Sequence, residues 1–330
     1  MLGLSVFGLY MVFVVFLLFM MICVAIYLST TPYPEIIRYD QEKTFFTSKN
    51  KKQTGEFPFG KFKAQDSVKL SVIVPAYNEE QRLPSMMKEA LEHLEARRAA
   101  VPGFTYEVIV VDDGSSDATS ELALQYTEKH SADRVRVLTL ERNRGKGGAI
   151  RMGMLSSRGE WLLFADADGA TRFSDLDQLE AELKPLATAA DSAAVVCGSR
   201  AHLEKESIAQ RSLFRTILMK GFHLVVRLFT VRDIRDTQCG FKLLTRPAML
   251  LCFANLHVER WAFDAELLYI AQRLKMPIKE VAVHWTEIEG SKLTPIISWI
   301  EMGLDLFFIW FRYSIGAWRI RDQLDSKKFE

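Results

Sequence analysis

The chain has 330 residues, 49% of them hydrophobic, with 42 Lys and Arg against 41 Asp and Glu. That length admits one large or two ordinary domains, and the near-balance of charge excludes a bulk basic surface for nucleic acid. Cys23, Cys197, Cys239 and Cys252 are scattered, with no C-x-x-C and no metal-ligand spacing, the usage of a reducing compartment.

Residues Leu2 to Leu28 carry no Lys, Arg, Asp or Glu. As a helix rising ~1.5 Å per residue they extend about 40 Å, enough to cross a bilayer core. A cleaved signal peptide fits less well: no basic n-region precedes the apolar block, the block is too long, and no A-x-A site follows. Residues 1–30 are therefore expected to be a retained single-pass anchor. Arg38, Lys43, Lys49, Lys51 and Lys52 follow it, which places the bulk of the chain on the cytosolic side. The absence of any N-x-S/T sequon agrees. Residues 31–68, with Thr31-Pro32-Tyr33-Pro34, a Lys-rich stretch, Gly55, Pro58 and Gly60, read as a juxtamembrane tether.

From Lys69 onward strands and helices alternate. Strands are expected at Leu70–Val74, Glu107–Val111, Arg134–Leu138, Trp161–Phe164 and Ala194–Cys197, with helices at Leu83–Arg98, Ser116–His130 and Gly147–Ser157. Strand runs apolar on both faces and separated by helices imply a mostly parallel sheet covered on both sides. Ligands of such α/β sheets bind beyond the carboxyl ends of the strands. The domain is expected over residues 69–290, including an interface helix at 208–232. Residues 291–330 form a further C-terminal unit. Within Thr294–Ile320, Glu301, Asp305, Arg312 and Arg319 fall within about 40° of one another on a helix, interrupted by Phe308. Opposite them lie Trp299, Phe307, Trp310, Phe311 and Trp318. That pattern suits a helix in the membrane interface, with packing on the domain's own core as the competing placement.

Four strand ends carry chemistry. Pro75 is expected to halt the first strand's ladder, and Ala76-Tyr77-Asn78-Glu79-Glu80 to expose an aromatic face and carboxylates, or to start a helix with Asn78 as N-cap. The second strand runs into Asp112-Asp113-Gly114-Ser115-Ser116-Asp117. Its turn needs Gly114 and the serines but neither Asp112 nor Asp113, so the paired acids suit a uracil imide or ribose hydroxyls. Asp117 reads as a helix N-terminal acid. In Arg142-Asn143-Arg144-Gly145-Lys146-Gly147-Gly148-Ala149, glycines admit a ligand to the backbone and Arg144 and Lys146 add positive charge at a helix N-terminus. The spacing is neither a Walker A loop nor a dinucleotide G-x-G-x-x-G. Asp166-Ala167-Asp168-Gly169 follows the fourth strand. Two carboxylates one residue apart share a hard cation well, and Mg²⁺ or Mn²⁺ held by few carboxylates in turn holds a diphosphate. His223, His257 and His284, without metal spacing, read as structural.

The order V-P-A-Y-N-E-E, V-D-D-G-S-S-D, N-R-G-K-G-G-A and D-A-D-G resembles the family 2 inverting glycosyltransferases of the GT-A, Rossmann-like fold. Cys197-Gly198-Ser199-Arg200-Ala201-His202, Asp236-Thr237-Gln238-Cys239-Gly240-Phe241-Lys242, Arg260 to Leu267 and Trp285 to Lys292 narrow the resemblance to the dolichyl-phosphate sugar synthases. It covers residues 69–320. It implies glucose transfer from UDP-glucose to dolichyl phosphate with inversion, on the cytosolic face of the endoplasmic reticulum, for N-glycan precursor assembly. Mannose or N-acetylglucosamine donors are the alternatives within the class. A non-catalytic nucleotide-sugar-binding membrane protein is the alternative outside it, disfavoured because the carboxylates are present. By motif, Pro75, Ala76, Tyr77, Glu79, Asp112 and Asp113 would contact the uridine end. Asp166 would lie near sugar and ribose, Asp168 would ligate the metal with Asp166, and Lys146 would face the leaving diphosphate. Ser199, Arg200 and Arg211 would hold the acceptor phosphate, Lys242 would close over the donor, and Asp264 or Glu266, but not both, would meet a sugar hydroxyl or act as base. One departure stands out: the mannose synthases carry a polar metal ligand two residues beyond the second Asp, where this chain has Ala170.

Overall fold

The computed structural model describes residues 2–48, 54–61, 63–203, 234–288 and 295–323. The chain opens with helix α1 (Leu2–Ser29), whose stretch Phe7–Ser29 is long and apolar enough to cross a membrane and is not buried against the rest of the protein. A short hairpin follows, β1 (Thr44–Phe46) antiparallel to β2 (Thr54–Glu56).

The main domain then unfolds in order: β3 (Val68–Ala76), α2 (Leu83–Ala100), β4 (Tyr106–Asp112), α3 (Thr119–His130), β5 (Val135–Thr139), α4 (Gly145–Leu155), β6 (Gly159–Ala165), α5 (Leu176–Leu183), β7 (Val195–Ser199), β8 (Phe241–Thr245), α6 (Arg246–Asn255), α7 (Phe263–Arg273) and β9 (Ile278–Ala282), with α8 (Pro295–Ser314) closing the chain. Its seven strands lie in the order β5-β4-β3-β6-β8-β7-β9. Pairs β5-β4, β4-β3, β3-β6 and β7-β9 are parallel, and β8 is antiparallel to both its neighbours. Alternate β3 residues serve opposite faces. Leu70, Val72 and Val74 pack with Leu83, Met87, Leu91 and Leu94 of α2, whereas Ile73 packs with Ile150 and Met154 of α4 and with Phe253 and Phe263. Both faces are thus covered, as the doubly apolar strands require.

The strand order decides where the site lies. From β3 the chain moves outward through β4 to β5, then returns to lay β6 on the other side of β3. At such a reversal the connections diverge and open a crevice beyond the carboxyl ends of the strands. The loops after β3, β4 and β6 all end there. Pro75 does not halt the whole ladder, as its missing N–H had suggested. On the β4 side pairing runs to Ala76 opposite Asp112, and on the β6 side it stops at Ile73 opposite Phe164.

The described residues of the tether pack against the domain. Phe57 is buried, its ring centroid 4.8 Å from that of Phe45, and the Arg136 guanidinium of edge strand β5 lies 5.0 Å from the Phe45 ring centroid. Gly55 has no room for a side chain, since a Cβ there would overlap the Phe45 ring. Glu42 is fully buried. The apolar residues between the prolines and lysines supply this packing, and composition alone hid them.

The C-terminal helix packs one face on the domain's own core. On α8, Met302, Leu306 and Ile309 are buried, with Ile309 against Ala262 and Trp318, while Leu304 and Phe308 face outward. The helix ends at Ser314, so Arg319 does not extend its polar stripe. Its backbone N–H instead donates to the Pro32 carbonyl at 2.9 Å. Phe311 meets Phe19 of α1 edge-on, at 6.3 Å between centroids. The interface helix expected at 208–232 lies outside the described residues.

At the opposite end of the sheet from the crevice, buried Glu107 gathers Ser71 Oγ (2.5 Å), Arg136 Nη2 (2.8 Å), and the backbone N–H (2.5 Å) and Nε (3.0 Å) of Arg158. Removing one member of a buried charged network leaves the others unpaired, at about 3–5 kcal/mol. E107A is expected to lose that much stability by denaturant unfolding in detergent, with the secondary-structure content of the folded fraction unchanged.

Candidate active site

The loop after β3 is braced against the loop after β4. Asn78 takes a left-handed conformation (φ 52°), which Asn tolerates better than most residues. Its N–H donates to Ser115 Oγ at 2.9 Å and its Oδ1 accepts the Ser116 N–H at 2.8 Å. Asn78 is therefore a cross-brace and not the N-cap of α2. Tyr77 projects beside it, 41% exposed, an aromatic face at the crevice mouth. Glu79 is buried, accepts two bonds from Arg82 (2.5 and 2.7 Å), and its backbone N–H donates to Thr119 Oγ1 at 2.8 Å.

Both acids of the second loop turn out to be needed by the backbone. Asp112 Oδ1 accepts the Ser115 N–H at 2.9 Å, and its other oxygen accepts the Ser120 hydroxyl. It closes the very turn that sequence reasoning had assigned to Gly114 and the serines, because a carboxylate three residues upstream satisfies the turn's exposed N–H. Asp113 accepts the N–H groups of Arg144 (2.7 Å) and Gly145 (2.9 Å) at the start of α4, and its own N–H donates to the Ala76 carbonyl at 2.9 Å. Burial pushes the Asp113 carboxyl up to about 7, against the pull of those two donors. Asp117 accepts the Thr119 N–H at 3.0 Å, as an N-terminal acid should.

The glycine loop opens α4, as its spacing predicts, but its two cations part company. Arg144 turns away and is buried against Glu42, with Nη2 2.7 Å from Oε2. Lys146 turns inward and pairs with Asp166 Oδ1 at 2.6 Å, its ammonium 5.9 Å from the Trp261 ring centroid. Burial disfavours the charged lysine, but Asp166 and then Asp264 outweigh it and raise its pKa. Gly147 and Gly148 serve close packing: a Cβ on Gly147 would overlap Phe263, and the Gly148 N–H donates to the Glu259 carbonyl at 2.9 Å.

Asp166 and Asp168 sit at the end of β6. The Asp166 carboxylate lies flat on Gly240, where any side chain would overlap it, and the Asp166 N–H donates to the Gly240 carbonyl at 3.2 Å. Asp168 Oδ1 accepts the Ala170 N–H at 3.0 Å. Burial, then the neighbouring Asp166 charge, raises the Asp168 carboxyl. Among the described residues no group of three His, Cys, Asp or Glu side chains assembles, in keeping with Ala170 in place of a polar residue. Two hard oxygen donors whose charges repel nonetheless fit a dication that completes its shell with phosphate oxygens and water.

On the far side of β6, Arg200 follows buried Ser199, whose Oγ accepts the Ala201 N–H at 3.4 Å. The Arg200 fork is bound to Asp236 (Nε to Oδ2 2.7 Å, Nη2 to Oδ1 2.9 Å), and its guanidinium lies 5.5 Å from the Trp285 ring centroid. Burial opposes charge on both partners, and the paired hydrogen bonds overcome it: Arg200 is raised and Asp236 lowered.

Lys242 does not close over a donor. It is fully buried on β8, with Nζ 2.5 Å from Asp264 Oδ1 and 2.6 Å from the Cys239 carbonyl. Asp264 is likewise buried, so its carboxylate underlies the crevice and is not presented at its surface as a base or sugar ligand. The strand period explains both: Lys242 and Phe164 are register partners, on the face that packs against α7. Asp264 and Glu266 point to different sides of α7, as their spacing predicts, and Asp264 turns to Lys242. Glu266 accepts the N–H groups of His257 and Val258 and the Tyr313 hydroxyl (2.9 Å). His257 stacks on Trp318 at 4.2 Å, and His284 Nδ1 lies 3.0 Å from Asp175 Oδ1, structural settings for each. Arg211, His223 and Lys292 lie outside the described residues.

The structure thus brings together Tyr77, Glu79, Asp112, Asp113, Lys146, Asp166, Asp168 and Arg200, and sets Lys242 and Asp264 beneath them. Sequence reasoning missed Arg82, whose charge acts on both Asp166 and Asp168. It also missed Asp236 as the partner of Arg200. A basic residue just past an acidic turn was the one available signal for Arg82. For Asp236 only the fold supplies one.

The family model described as glycosyl transferase family 2 matches residues 71–249. The dolichyl-phosphate beta-glucosyltransferase of Drosophila melanogaster is 62% identical over 88% of this chain and 89% of its own length. The Homo sapiens protein of that name is 57% identical over 91% of each chain, and that of Saccharomyces cerevisiae 37% identical over 98% and 96%. Among solved structures, glucosyl-3-phosphoglycerate synthase from Mycobacterium tuberculosis, in complex with Mn²⁺, UDP and phosphoglyceric acid, superposes with a TM-score of 0.50. It shows 18% identity over 78% of this chain and 81% of that one, a likeness of fold.

The Lys242–Asp264 pair invites a direct experiment. K242M leaves a buried carboxylate unpaired and is expected to cost about 3–5 kcal/mol, whereas the paired apolar replacement K242M/D264L restores most of that stability. Thermal unfolding of the two variants checks this. Equal loss in both would show that packing and not charge holds that layer.

Proposed function

This chain belongs to glycosyl transferase family 2 and, within it, to the dolichyl-phosphate β-glucosyltransferases, and from that membership we propose that it moves glucose from UDP-glucose to dolichyl phosphate with inversion at the anomeric carbon. One observation carries the reading: the acidic pair Asp166/Asp168, the Tyr77 turn, the Asp112-Asp113 turn and Lys146 converge at a single strand-order reversal. That is where a GT-A sheet has room for a nucleotide sugar.

In the proposed step a phosphate oxygen of the lipid attacks C1 of glucose from the face opposite the diphosphate. The new C1–O bond forms as the bond to the β-phosphate oxygen breaks, and UDP carries away the electron pair. The phosphate is already anionic, so no side chain need take a proton. That matches a site whose buried acids are engaged by backbone N–H groups or cations. Tyr77 offers a flat face for the uracil, and the loops held by Asp112 and Asp113 shape the uridine pocket beside Pro75, Ala76 and Glu79. Lys146 places one positive charge beside the leaving diphosphate, and Arg82 another near the acidic pair. Mg²⁺ or Mn²⁺ held by Asp166 and Asp168 would supply Lewis-acid neutralisation of the diphosphate. Arg200, preset by Asp236 and Trp285, offers the remainder of its planar fork to the acceptor phosphate. Ser199 holds the turn that aims it, and Arg211 is proposed as a second acceptor contact.

Helix α1 would hold the domain at the cytosolic face of the endoplasmic reticulum membrane, with the basic residues after Ser29 on the cytosolic side. The product would then enter N-glycan precursor assembly as a sugar donor.

The test uses the full chain in liposomes containing dolichyl phosphate, supplied with radiolabelled UDP-glucose, GDP-mannose or UDP-N-acetylglucosamine, with and without EDTA. Label is expected in lipid from UDP-glucose alone, and EDTA abolishes it. D168N is expected to lower kcat about a hundredfold. R200A is expected to raise the acceptor KM about tenfold with the donor KM unmoved. Transfer from another sugar nucleotide at equal rate would refute donor choice, and full activity of D168N would refute the metal assignment.

A further inference from the structure

The segment between the membrane helix and the catalytic domain is clamped at both ends. At its membrane end, Arg319 bonds to the segment by its N–H to the Pro32 carbonyl (2.9 Å) and to the last turn of α1 by Nη2 to the Tyr27 hydroxyl (3.0 Å). Arg321 lies 3.9 Å from the Tyr33 ring centroid. The same Arg321 is tied into the domain through Asn255 of α6, which accepts its N–H at 2.8 Å and donates to its carbonyl at 3.0 Å. At the other end Arg144 reaches out to take the Ile37 carbonyl (2.8 Å) and both oxygens of buried Glu42 (2.9 and 2.7 Å). The Tyr39 ring lies 5.3 Å from the guanidinium of Arg142 and equally far from that of Arg144. Glu42 also accepts the Tyr39 N–H at 3.0 Å. Arg144 in turn belongs to the donor loop, since its N–H is one of the two that Asp113 accepts.

We propose that residues 30–43 are a rigid positioning strap, which transmits the orientation of the membrane helix to the donor-site loop through Glu42 and Arg144. The inference rests on the glucosyl-transfer function proposed above. Magnitudes favour it over a simple tether. A flexible linker spanning 31–68 would let its ends wander over about 35 Å. A misplacement of only ~1 Å at a reacting centre costs about a hundredfold in rate. The acceptor phosphate is confined to a bilayer surface, so the height and tilt of the crevice above that surface decide whether C1 and the phosphate oxygen align. A strap that fixes both removes that orientational search before the lipid arrives. Arg144, Glu42, Arg319 and Tyr27 need touch neither substrate to act in this way. They are positioning residues.

The experiment separates a membrane acceptor from a free one. Two full-length variants are made: a flexible Gly-Ser insertion of about six residues between Pro34 and Glu35, and R319A. The insertion loosens the path while leaving the Glu42–Arg144 pair and the domain core intact, and R319A removes the side-chain bond to Tyr27 while keeping the backbone bond to Pro32. Each is assayed with long-chain polyprenyl phosphate in liposomes and with a short-chain, water-soluble polyprenyl phosphate, and UDP affinity is measured by calorimetry. The insertion is expected to lower kcat/KM on liposomes at least about tenfold, with turnover of the soluble acceptor and UDP affinity within about twofold of the parent. R319A is expected to shift the same ratio in the same direction by less. An insertion variant equal to the parent on liposomes overturns the strap, as does one that loses equally on both acceptors. A parent inactive with UDP-glucose on both acceptors brings down the function proposed above and the strap with it.

Discussion

Asp112, Asp113, Asp166 and Asp168 crowd one end of a single sheet, and burial together with a neighbouring carboxylate raises Asp113 and Asp168 above the ordinary carboxyl range. The fold tolerates them by giving them donors. Asp112 and Asp113 are engaged by backbone N–H groups, Asp166 by a lysine, and Asp168 by an N–H and the nearby charge of Arg82. Most of the local architecture follows from that requirement. The turn after β4 closes on Asp112, α4 begins where Asp113 can cap it, and Gly240 is bare because the Asp166 carboxylate occupies the space of a side chain.

The cations around this cluster are themselves sorted by depth. Lys146 and Arg200 keep part of their side chains exposed and face the crevice, whereas Lys242 is sealed below with Asp264. A buried ion pair gives little net stability relative to a well-packed apolar pair, yet losing one partner is costly. The layer beneath the site is therefore one that punishes change in either residue while adding no chemistry at the surface. Motif reasoning that treats every charged residue of a sequence motif as a ligand cannot see this distinction.

The same division separates the two cations of the glycine loop. Arg144 and Lys146 are two residues apart at the start of one helix, so their side chains leave on different faces. One faces the crevice and the other the segment leading to α1. The glycine loop and the segment after α1 are thereby linked through the first turn of α4, and the C-terminal residues Arg319 and Arg321 complete the connection from the other side.

Much of this protein was legible before folding. The apolar strand runs, the loops at their ends, the D-x-D pair and the long uncharged helix are local patterns, and each lies within a few residues of where the periodicity placed it. Spacing alone showed that Asp264 and Glu266 leave their helix on different sides, but not that Asp264 would be buried with Lys242. What the sequence could not carry is anything that depends on contact between distant segments. Whether Lys242 faces donor or core is a matter of which sheet face α7 covers. Whether Arg200 is free or gripped depends on Asp236, brought back from thirty-six residues away. Residues 31–68 look like a linker by composition, and only partners in β5 and at the start of α4 show that Glu42, Phe45 and Phe57 are packed. Local sequence sets the backbone's preferences, but burial and ion pairing are properties of neighbours, and the tertiary fold alone decides who the neighbours are.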